Sequence, residues 1–393
     1  MKIALVHGKM MTPYLSGASK SVYQLASAFS ELNEDVTVIH ADEDLPDNNF
    51  NEIKIDKCAY IHFGRLSSFK PTEIISNWKE TLSLLRYYSY VSSMNRLNYF
   101  DIIDNQGFWV NKSDVLSVRY CIKNYYETTK NGTLRQLFLN LLDFKMRLLL
   151  HIEKIHFKNR DTLFIVNCKK EKIALVKLYN VSPNRVYYIP NGHSLPVSIY
   201  SYKNRLKLRK KYNLGSKTCL LWVGYNAKRK GLYFFLDYLT RHPDIFGIVA
   251  GVSYEEAKKY GLINKNILVL NYYSQIHELF SIADIFYFPT EYEGGAKVVI
   301  EAMASGCCVV TTFESGGTDY IKDKLNGFIV KRDQTAMYTV LDDLLKNKRK
   351  IRSIGKRAKK SVKDCTWENS ARERIKIYSK ILKRKNLISV KKR

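Results

Sequence analysis

The stretch Phe288–Tyr320, FPTEYEGGAKVVIEAMASGCCVVTTFESGGTDY, decides how the rest of the chain is read. An apolar run, Ile285–Phe288, stops at Pro289, and an acidic turn with Glu291 and Glu293 leads into Gly294-Gly295. A helix is predicted from near Ala296 to Gly306, where glycine suits the left-handed position that ends helices. Val309 and Val310 open the next strand. On a helical wheel, Val298, Val299, Ala302 and Met303 share the core side, and Lys297, Glu301 and Ser305 share the other. The glycine pair lets backbone N–H groups approach a ligand at the positive end of the helix, a place suited to phosphate. Glu301 adds a carboxylate part-way along. A nucleotide needs both: donors for its phosphates and an acceptor for its ribose hydroxyls. Lys297 and Glu301 are also an i,i+4 pair, and an isolated pair of that kind is ordinarily a solvated ion pair.

Glu293 and Glu301 are separated by seven residues and are followed by Ala-Met-Ala-Ser-Gly and by Gly316-Gly317-Thr318-Asp319. This order resembles the E-x7-E segment of the retaining glycosyltransferases of family 4, which have the GT-B fold. Asp319 stands where many members have Glu. The resemblance implies that Glu293 lies near a donor sugar and that Glu301 binds the ribose.

A second phosphate site is expected after the apolar run Cys219–Val223, where Gly224-Tyr225-Asn226-Ala227-Lys228-Arg229-Lys230-Gly231 precedes a helix. Cations oppose the positive end of a helix unless an anion sits there. Arg229 and Lys230 suit a diphosphate whose charge grows as the bond to it breaks. The loop resembles G-R-L-x-x-x-K-G of the same family, with Tyr225 and Asn226 replacing Arg and Leu. The Arg229-Lys230-Gly231 ending is similar to members acting on the lipopolysaccharide core.

Outward from these motifs the chain alternates strand and helix. Lys2–His7, a loop with Pro13 and Gly17, a helix from Ser19 to Leu32 and Asp35–His40 form a βαβ unit. Neither G-x-G-x-x-G nor a P-loop follows the first strand. Ser16-Gly17-Ala18 resembles the family loop that lies under the donor. Further strands are predicted at Cys58–Phe63, Asp101–Asp104, Val115–Arg119, Thr162–Asn167 and Val186–Ile189, and a long amphipathic helix at Leu134–Phe157. Packing on the sheet is the ordinary role of such a helix; a membrane surface is the alternative. Pro190-Asn191-Gly192 resembles the family's exit from its first domain, and Ser198–Ser216 reads as a linker with a short helix. Strands at Cys219–Val223, Gly247–Gly251, Ile267–Leu270, Asp284–Phe288, Cys307–Thr312 and Gly327–Val330 alternate with helices such as Gly231–Arg241 and Gln275–Ala283.

The expected architecture is therefore α/β, a GT-B arrangement of two Rossmann-like domains facing a cleft. Residues 1–195 form the acceptor domain and 196–365 the nucleotide-sugar domain. In residues 366–393 a helix crosses back to the first domain and ends in a basic tail. No histidine falls in Asn105–Glu127, where many family members carry one; Asn105, Gln106, Asp114 and Arg119 are the polar residues there. For His7 and His193 a structural role is the better reading. Asp42-Glu43-Asp44 contains a D-x-D, discounted as a metal site because it sits in a polar loop.

The chain has 393 residues and a formal net charge of +27, concentrated at Lys203–Lys211, Lys346–Lys360 and Lys383–Arg393. Such a field attracts polyanions, whereas a lysine-rich composition with solvated charge runs needs no partner. The seven cysteines (Cys58, Cys121, Cys168, Cys219, Cys307, Cys308 and Cys365) show no CxxC pair and read as buried thiols of a reducing compartment. The apolar run at Ile3–Val6 is too short for a signal peptide, and no stretch reaches the ~18 apolar residues of a membrane span.

The resemblance implies an enzyme that moves a hexose-type sugar, with retention, from a nucleotide sugar to a glycolipid or surface-polysaccharide acceptor. Arg229 and Lys230 would hold the diphosphate with N–H groups of Gly294, Gly295 and Ala296. Gly224 and Gly17 would let backbone approach the donor, Glu301 would hold the ribose, and Glu293 would act at the sugar. No cofactor and no metal are expected. The expected location is cytoplasmic, peripheral to the inner membrane face, with an anionic membrane as a candidate partner. A nucleotide-sugar epimerase shares the fold but needs acid and base residues not identifiable here. A nucleic-acid-binding protein would explain the charge but calls for aromatics among the basic runs, and 346–360 and 383–393 contain none.

Overall fold

The structure, a computed structural model, describes residues 1–9, 17–41, 48–55, 70–129, 141–193, 202–271, 273 and 275–391. The expected strand Cys58–Phe63, the D-x-D of Asp42–Asp44 and the first part of the helix expected from Leu134 lie outside them. Two compact units emerge: Met1–Pro190 with Trp367–Arg393, and Asn191–Thr366.

Among its described residues the first unit holds seven parallel strands, β1 (Lys2–Lys9), β2 (Asp35–Ala41), β3 (Asn51–Ile55), β4 (Ile102–Asn105), β5 (Val115–Val118), β6 (Leu163–Val166) and β7 (Val186–Tyr188), ordered β3-β2-β1-β4-β5-β6-β7. Its helices are α1 (Gly17–Glu31), α2 (Pro71–Ser93), α3 (Ile122–Thr128), α4 (Phe144–Lys158) and α5 (Lys169–Tyr179). Alternate residues of one strand feed opposite faces, as the period of two requires. Ala4 and Val6 join the core under α2 and α4, while Ile3 and Leu5 join the core under α1.

Among its described residues the second unit holds six parallel strands, β8 (Cys219–Val223), β9 (Phe246–Ala250), β10 (Ile267–Leu270), β11 (Ile285–Phe288), β12 (Cys308–Thr312) and β13 (Phe328–Val330), ordered β10-β9-β8-β11-β12-β13. Its helices are α6 (Tyr202–Lys211), α7 (Leu232–Thr240), α8 (Tyr254–Lys258), α9 (Ile276–Ile282), α10 (Lys297–Ser305), α11 (Gln334–Leu345) and α12 (Lys348–Ser361). Leu220, Trp222 and Tyr287 pack on one face of the sheet, and Leu221, Phe286 and Phe288 on the other. Helices cover both faces, which is why these strands read as unbroken apolar runs.

Helix α13 (Trp367–Lys391) ends the chain and belongs to the first unit. It carries Arg374 into the centre of the first sheet. There its guanidinium donates to Asp104 Oδ2 at 2.9 Å and to Ser117 Oγ at 2.7 Å. Tyr378 donates to the same carboxylate at 2.5 Å, and Ser117 to its other oxygen at 2.7 Å. A fully buried carboxylate thus receives its counter-charge from the last helix, the arrangement that makes a buried charge tolerable.

In the basic run Lys203–Lys211 the four lysines are exposed, as on a solvated face, but the two arginines are not. Arg205 and Arg209 on α6 both reach Asp284, at 2.6 and 3.2 Å, and Arg209 also donates to Ile282 O at 2.8 Å. Asp284 precedes β11, so these cations anchor the strand that leads to the acidic turn. Among the described residues no disulfide joins the cysteines, and Cys121, Cys168, Cys219, Cys307 and Cys308 are buried.

Candidate active site

Ligands of open parallel sheets bind beyond the carboxyl ends of the strands, where the strand order reverses. In the second unit that place lies between β8 and β11, which pair at Leu220 with Ile285 and Leu221 with Phe286. The loop after β8 is Gly224–Gly231 and the loop after β11 is Pro289–Ala296. Both sequence motifs therefore emerge side by side from one reversal point.

Backbone contacts fasten the loops together. Glu291 N donates to Arg229 O at 2.7 Å. Gly231 has φ +72°, and a Cβ on it would lie 2.2 Å from Pro289 O, so only glycine fits there. Asn226, one of the departures from the family pattern, shapes the turn: its Oδ1 accepts from Arg229 N at 3.1 Å and its backbone O from Lys230 N at 2.9 Å. That is an Asx-type cap, and it aims the two cations.

Lys230 is 6% exposed. Its chain lies across Gly224, where a Cβ would come within 2.2 Å of Lys230 Cδ. Gly224 serves less as a flexible link than as a slot. The Lys230 ammonium sits 5.4 Å from the Tyr225 ring centre and 5.3 Å from that of Phe288, within cation–π range. Burial lowers its pKa below the ordinary lysine range, Glu293 pulls it back up, and Arg229 adds to the lowering.

Glu293 joins both cations. Its Oε2 is 2.8 Å from Arg229 Nη1 and 3.7 Å from Lys230 Nζ, and Arg229 also donates to Tyr292 O. Burial alone would raise the Glu293 carboxyl, but Lys230 and Arg229 outweigh it and hold it below the usual carboxylate range. Its backbone is pinned as well, with N donating to Glu314 O at 3.2 Å and O accepting from Gly316 N at 2.8 Å. The sequence assigned Glu293 and the two cations to separate parts of a ligand; the structure brings them into one charged cluster.

Helix α10 begins after Gly294, Gly295 and Ala296, all buried, and ends at Gly306 with φ 88°. Ala296 has φ 28°, a region that L side chains rarely adopt, directly before the first helical N–H groups. Strain of this kind persists where surrounding contacts over-determine the backbone. Glu301 departs from the polar face assigned to it: it is 6% exposed, and its Oε1 is 3.7 Å from Lys297 Nζ. The pair exists, but it is not a solvated one. Asn191, from the Pro190-Asn191-Gly192 turn, reaches to within 3.5 Å of Gly295 O, a contact that sequence spacing could not reveal.

Gly17 belongs to the other unit, as the first residue of α1, with open space where a Cβ would stand. In that unit His7 is buried against Trp109, with ring centres 5.8 Å apart, and burial, then Arg119, hold its imidazole well below the ordinary range. Gln106 donates to Ser117 Oγ at 3.2 Å. Burial and Arg374 lower the Arg119 guanidinium to about 10.

Residues 204–361 match the family described as glycosyl transferases group 1. The chain is 25% identical to spore coat protein SA of Bacillus subtilis over 197 residues, covering 45% of this chain and 52% of that protein. It thus spans about half the length of that relative. Among solved structures it is similar to WaaG, described as a glycosyltransferase involved in lipopolysaccharide biosynthesis. There the TM-score is 0.73 and the identity 20%, over 96% of this chain and 99% of that one. It is also similar to HepE of Anabaena, solved with UDP and glucose, at TM-score 0.69 and 15% identity over 96% and 99%. Two parallel-sheet units with these neighbours establish the architecture: the chain has the GT-B fold, and the stretch that matches the glycosyl transferases group 1 family lies in its second unit.

Proposed function

We propose that the protein is a retaining glycosyltransferase that moves a hexose-type sugar from a nucleotide-sugar donor to a glycolipid or surface-polysaccharide acceptor, without a metal. The observation that carries this reading is the Arg229–Lys230–Glu293 cluster at the β8/β11 reversal. Two adjacent cations at the mouth of a parallel sheet are held by one carboxylate. A diphosphate brings the anionic oxygens that such a pair accepts, and Arg229 offers it a two-pronged grip. The same cations would stabilise the charge that grows on the diphosphate as the bond to the anomeric carbon breaks. Glu293, released toward the sugar, would face the positive charge developing there. Glu301 would accept from the ribose hydroxyls, with Lys297 keeping its carboxylate oriented. Gly17 would let backbone of the first unit approach the phosphates. The solved HepE complex holds UDP and glucose, which supports a nucleotide-sugar donor. Among the described residues no helix is long and apolar enough to cross a membrane, and a peripheral cytoplasmic enzyme acting on a lipid-linked acceptor fits that observation.

The test is a thermal-shift panel of nucleotide sugars on the wild type and Glu301→Ala, followed by turnover. The anomeric configuration of the product is then read by NMR. The expected result is one donor that stabilises the wild type, fails to stabilise Glu301→Ala, and yields a product with the donor's anomeric configuration. An inverted product overturns retention. If no nucleotide or nucleotide sugar shifts the wild type while an oligonucleotide does, the transferase reading falls.

A further inference from the structure

We propose that Arg119 and Asn167, side by side at the carboxyl ends of β5 and β6, form a recognition site for an acidic sugar of the acceptor, one that carries a carboxylate or phosphate close to a free hydroxyl. The register of the two strands pairs Val115 with Leu163 and Val118 with Val166, so Arg119 and Asn167 are the next residue of each. Val115, Leu163 and Ile165 face the α1 side of the sheet. Arg119 and Asn167 continue that alternation just past the last strand positions. The carboxyl ends of parallel strands are where such sheets bind ligands.

Both side chains are left unsatisfied. Arg119 Nε and Asn167 Oδ1 are buried, and neither meets a hydrogen-bond partner among the described residues. Roughly 90% or more of buried polar groups in folded chains are paired, so an orphaned donor next to an orphaned acceptor calls for an explanation. The charges around Arg119 do not supply the missing acceptor. Asp104 acts on it, but Asp104 Oδ1 already accepts from Ser117, and Oδ2 from Arg374 and Tyr378. Arg374 opposes Arg119 more strongly than Asp104 supports it. His7 is buried and held well below the ordinary imidazole range, so it adds no charge. Two guanidiniums thus share one carboxylate, and one positive charge is left over at the end of the sheet.

The two orphans specify the ligand. A guanidinium presents parallel N–H groups that match the oxygens of a carboxylate or phosphate. Asn167 Oδ1 needs a hydrogen-bond donor instead. A neutral sugar brings hydroxyls without the anion, and a simple anion brings oxygens without the hydroxyl; an acidic sugar brings both on one ring. The proposal rests on the transferase reading only in naming the acceptor as the source of that sugar, and it uses none of the residues at the β8/β11 reversal.

The experiment uses the full chain without nucleotide and follows glucuronate, glucose 6-phosphate, glucose and acetate by saturation-transfer NMR. One of the two acidic sugars is expected to bind about tenfold or more tighter than glucose and acetate, as one hydrogen-bonded charge pair implies. The tighter of the two names the acidic group. Arg119→Gln is expected to bring that ligand down to the level of glucose, and Arg119→Lys, which keeps the charge without the fork, to recover part of the difference. Asn167→Ala should weaken binding about fivefold. Because Arg119 meets no partner and opposes Arg374, Arg119→Gln should leave Tm unchanged or higher, whereas loss of a structural arginine would lower it. Binding should persist in Glu301→Ala and in saturating UDP, so a failure of the nucleotide site leaves this test intact. Four results would overturn the proposal: acidic sugars that bind no tighter than glucose or acetate, binding that survives Arg119→Gln, a Tm that falls in Arg119→Gln, or displacement of the acidic sugar by UDP, which would put it in the nucleotide site.

Discussion

Replacing Glu293 by Gln removes the carboxylate that compensates two cations, one of them buried, without changing the shape of the side chain. At an effective dielectric near 20, the contacts of 2.8 and 3.7 Å correspond to gross attractions of about 6 and about 4 kcal/mol. Most of that is cancelled by the cost of holding the charges out of water. What the substitution leaves behind is Lys230, 6% exposed, with Arg229 beside it and no counter-charge from residue 293. Removing one partner of a buried pair costs about 3–5 kcal/mol. The Glu293 side chain is 23% exposed, so the lower end applies, about 2–3 kcal/mol. For a unit of this size that is a fall in Tm of about 4–12 °C. The carboxyl is held below its ordinary pKa, so its contribution is complete above the unfolded value and is lost as pH falls through the folded one. The gap between variant and wild type should therefore be constant from about pH 6 to 8 and close only in acid well below pH 4. In wild type a diphosphate must displace Glu293 from the cations, whereas in the variant it meets them uncompensated. A nucleoside diphosphate without sugar should therefore raise the Tm of Glu293→Gln by more than it raises that of the wild type, while turnover falls. The assay is differential scanning fluorimetry in a buffer free of phosphate and sulfate. Equal melting temperatures in that buffer, or a smaller nucleotide-induced shift in the variant, would refute the reasoning.

Gly224→Ala places a methyl 2.2 Å from Lys230 Cδ and should push the ammonium out of its slot. Overpacking of this size costs about 1–3 kcal/mol, and calorimetric titration should show nucleotide affinity reduced about tenfold or more; unchanged affinity would mean that Lys230 does not need the slot. Arg374→Leu strands the Asp104 carboxylate in the first sheet and should cost about 3–5 kcal/mol by denaturant titration, with nucleotide binding to the second unit retained in mild conditions. A simultaneous loss of nucleotide binding there would show that the units do not hold their structure separately.

The second unit was the more legible half because two of its apolar strands run straight into recognisable motifs. Cys219–Val223 and Ile285–Phe288 announce themselves as apolar runs, and each is followed at once by its motif. The pairing of β8 with β11 was not legible in any local pattern, and it is this pairing that places Glu293 against Arg229 and Lys230. The polarity of single residues misled in both directions. Glu301 sits on the nominally polar side of α10 yet is buried, and Arg205 and Arg209 look like surface charge yet are spent on Asp284. Helix α2 escaped because apolar residues occupy both of its sides: Leu84, Tyr87 and Val91 in the core, Ile75, Trp78, Leu82 and Leu85 outside. A stripe that faces outward erases the periodicity by which helices are read.

The pairing of Asp104 with Arg374 bears on the order in which the chain matures on the ribosome. Asp104 is synthesised early, in the middle of a sheet whose strands are all complete by Tyr188. Its cationic partner emerges only after the entire second unit has been made, and at ordinary elongation rates that is a delay of roughly ten to forty seconds. Throughout that interval the nascent first unit lacks the guanidinium and the phenol that bind Asp104 Oδ2, and the α1 face of its sheet lacks the cover that Trp367, Ala371 and Tyr378 later supply. The second unit, contiguous in sequence, is free to fold first. Nascent chains arrested before Arg374 should therefore present a protease-resistant second unit and a first unit that trigger factor-type holdases retain.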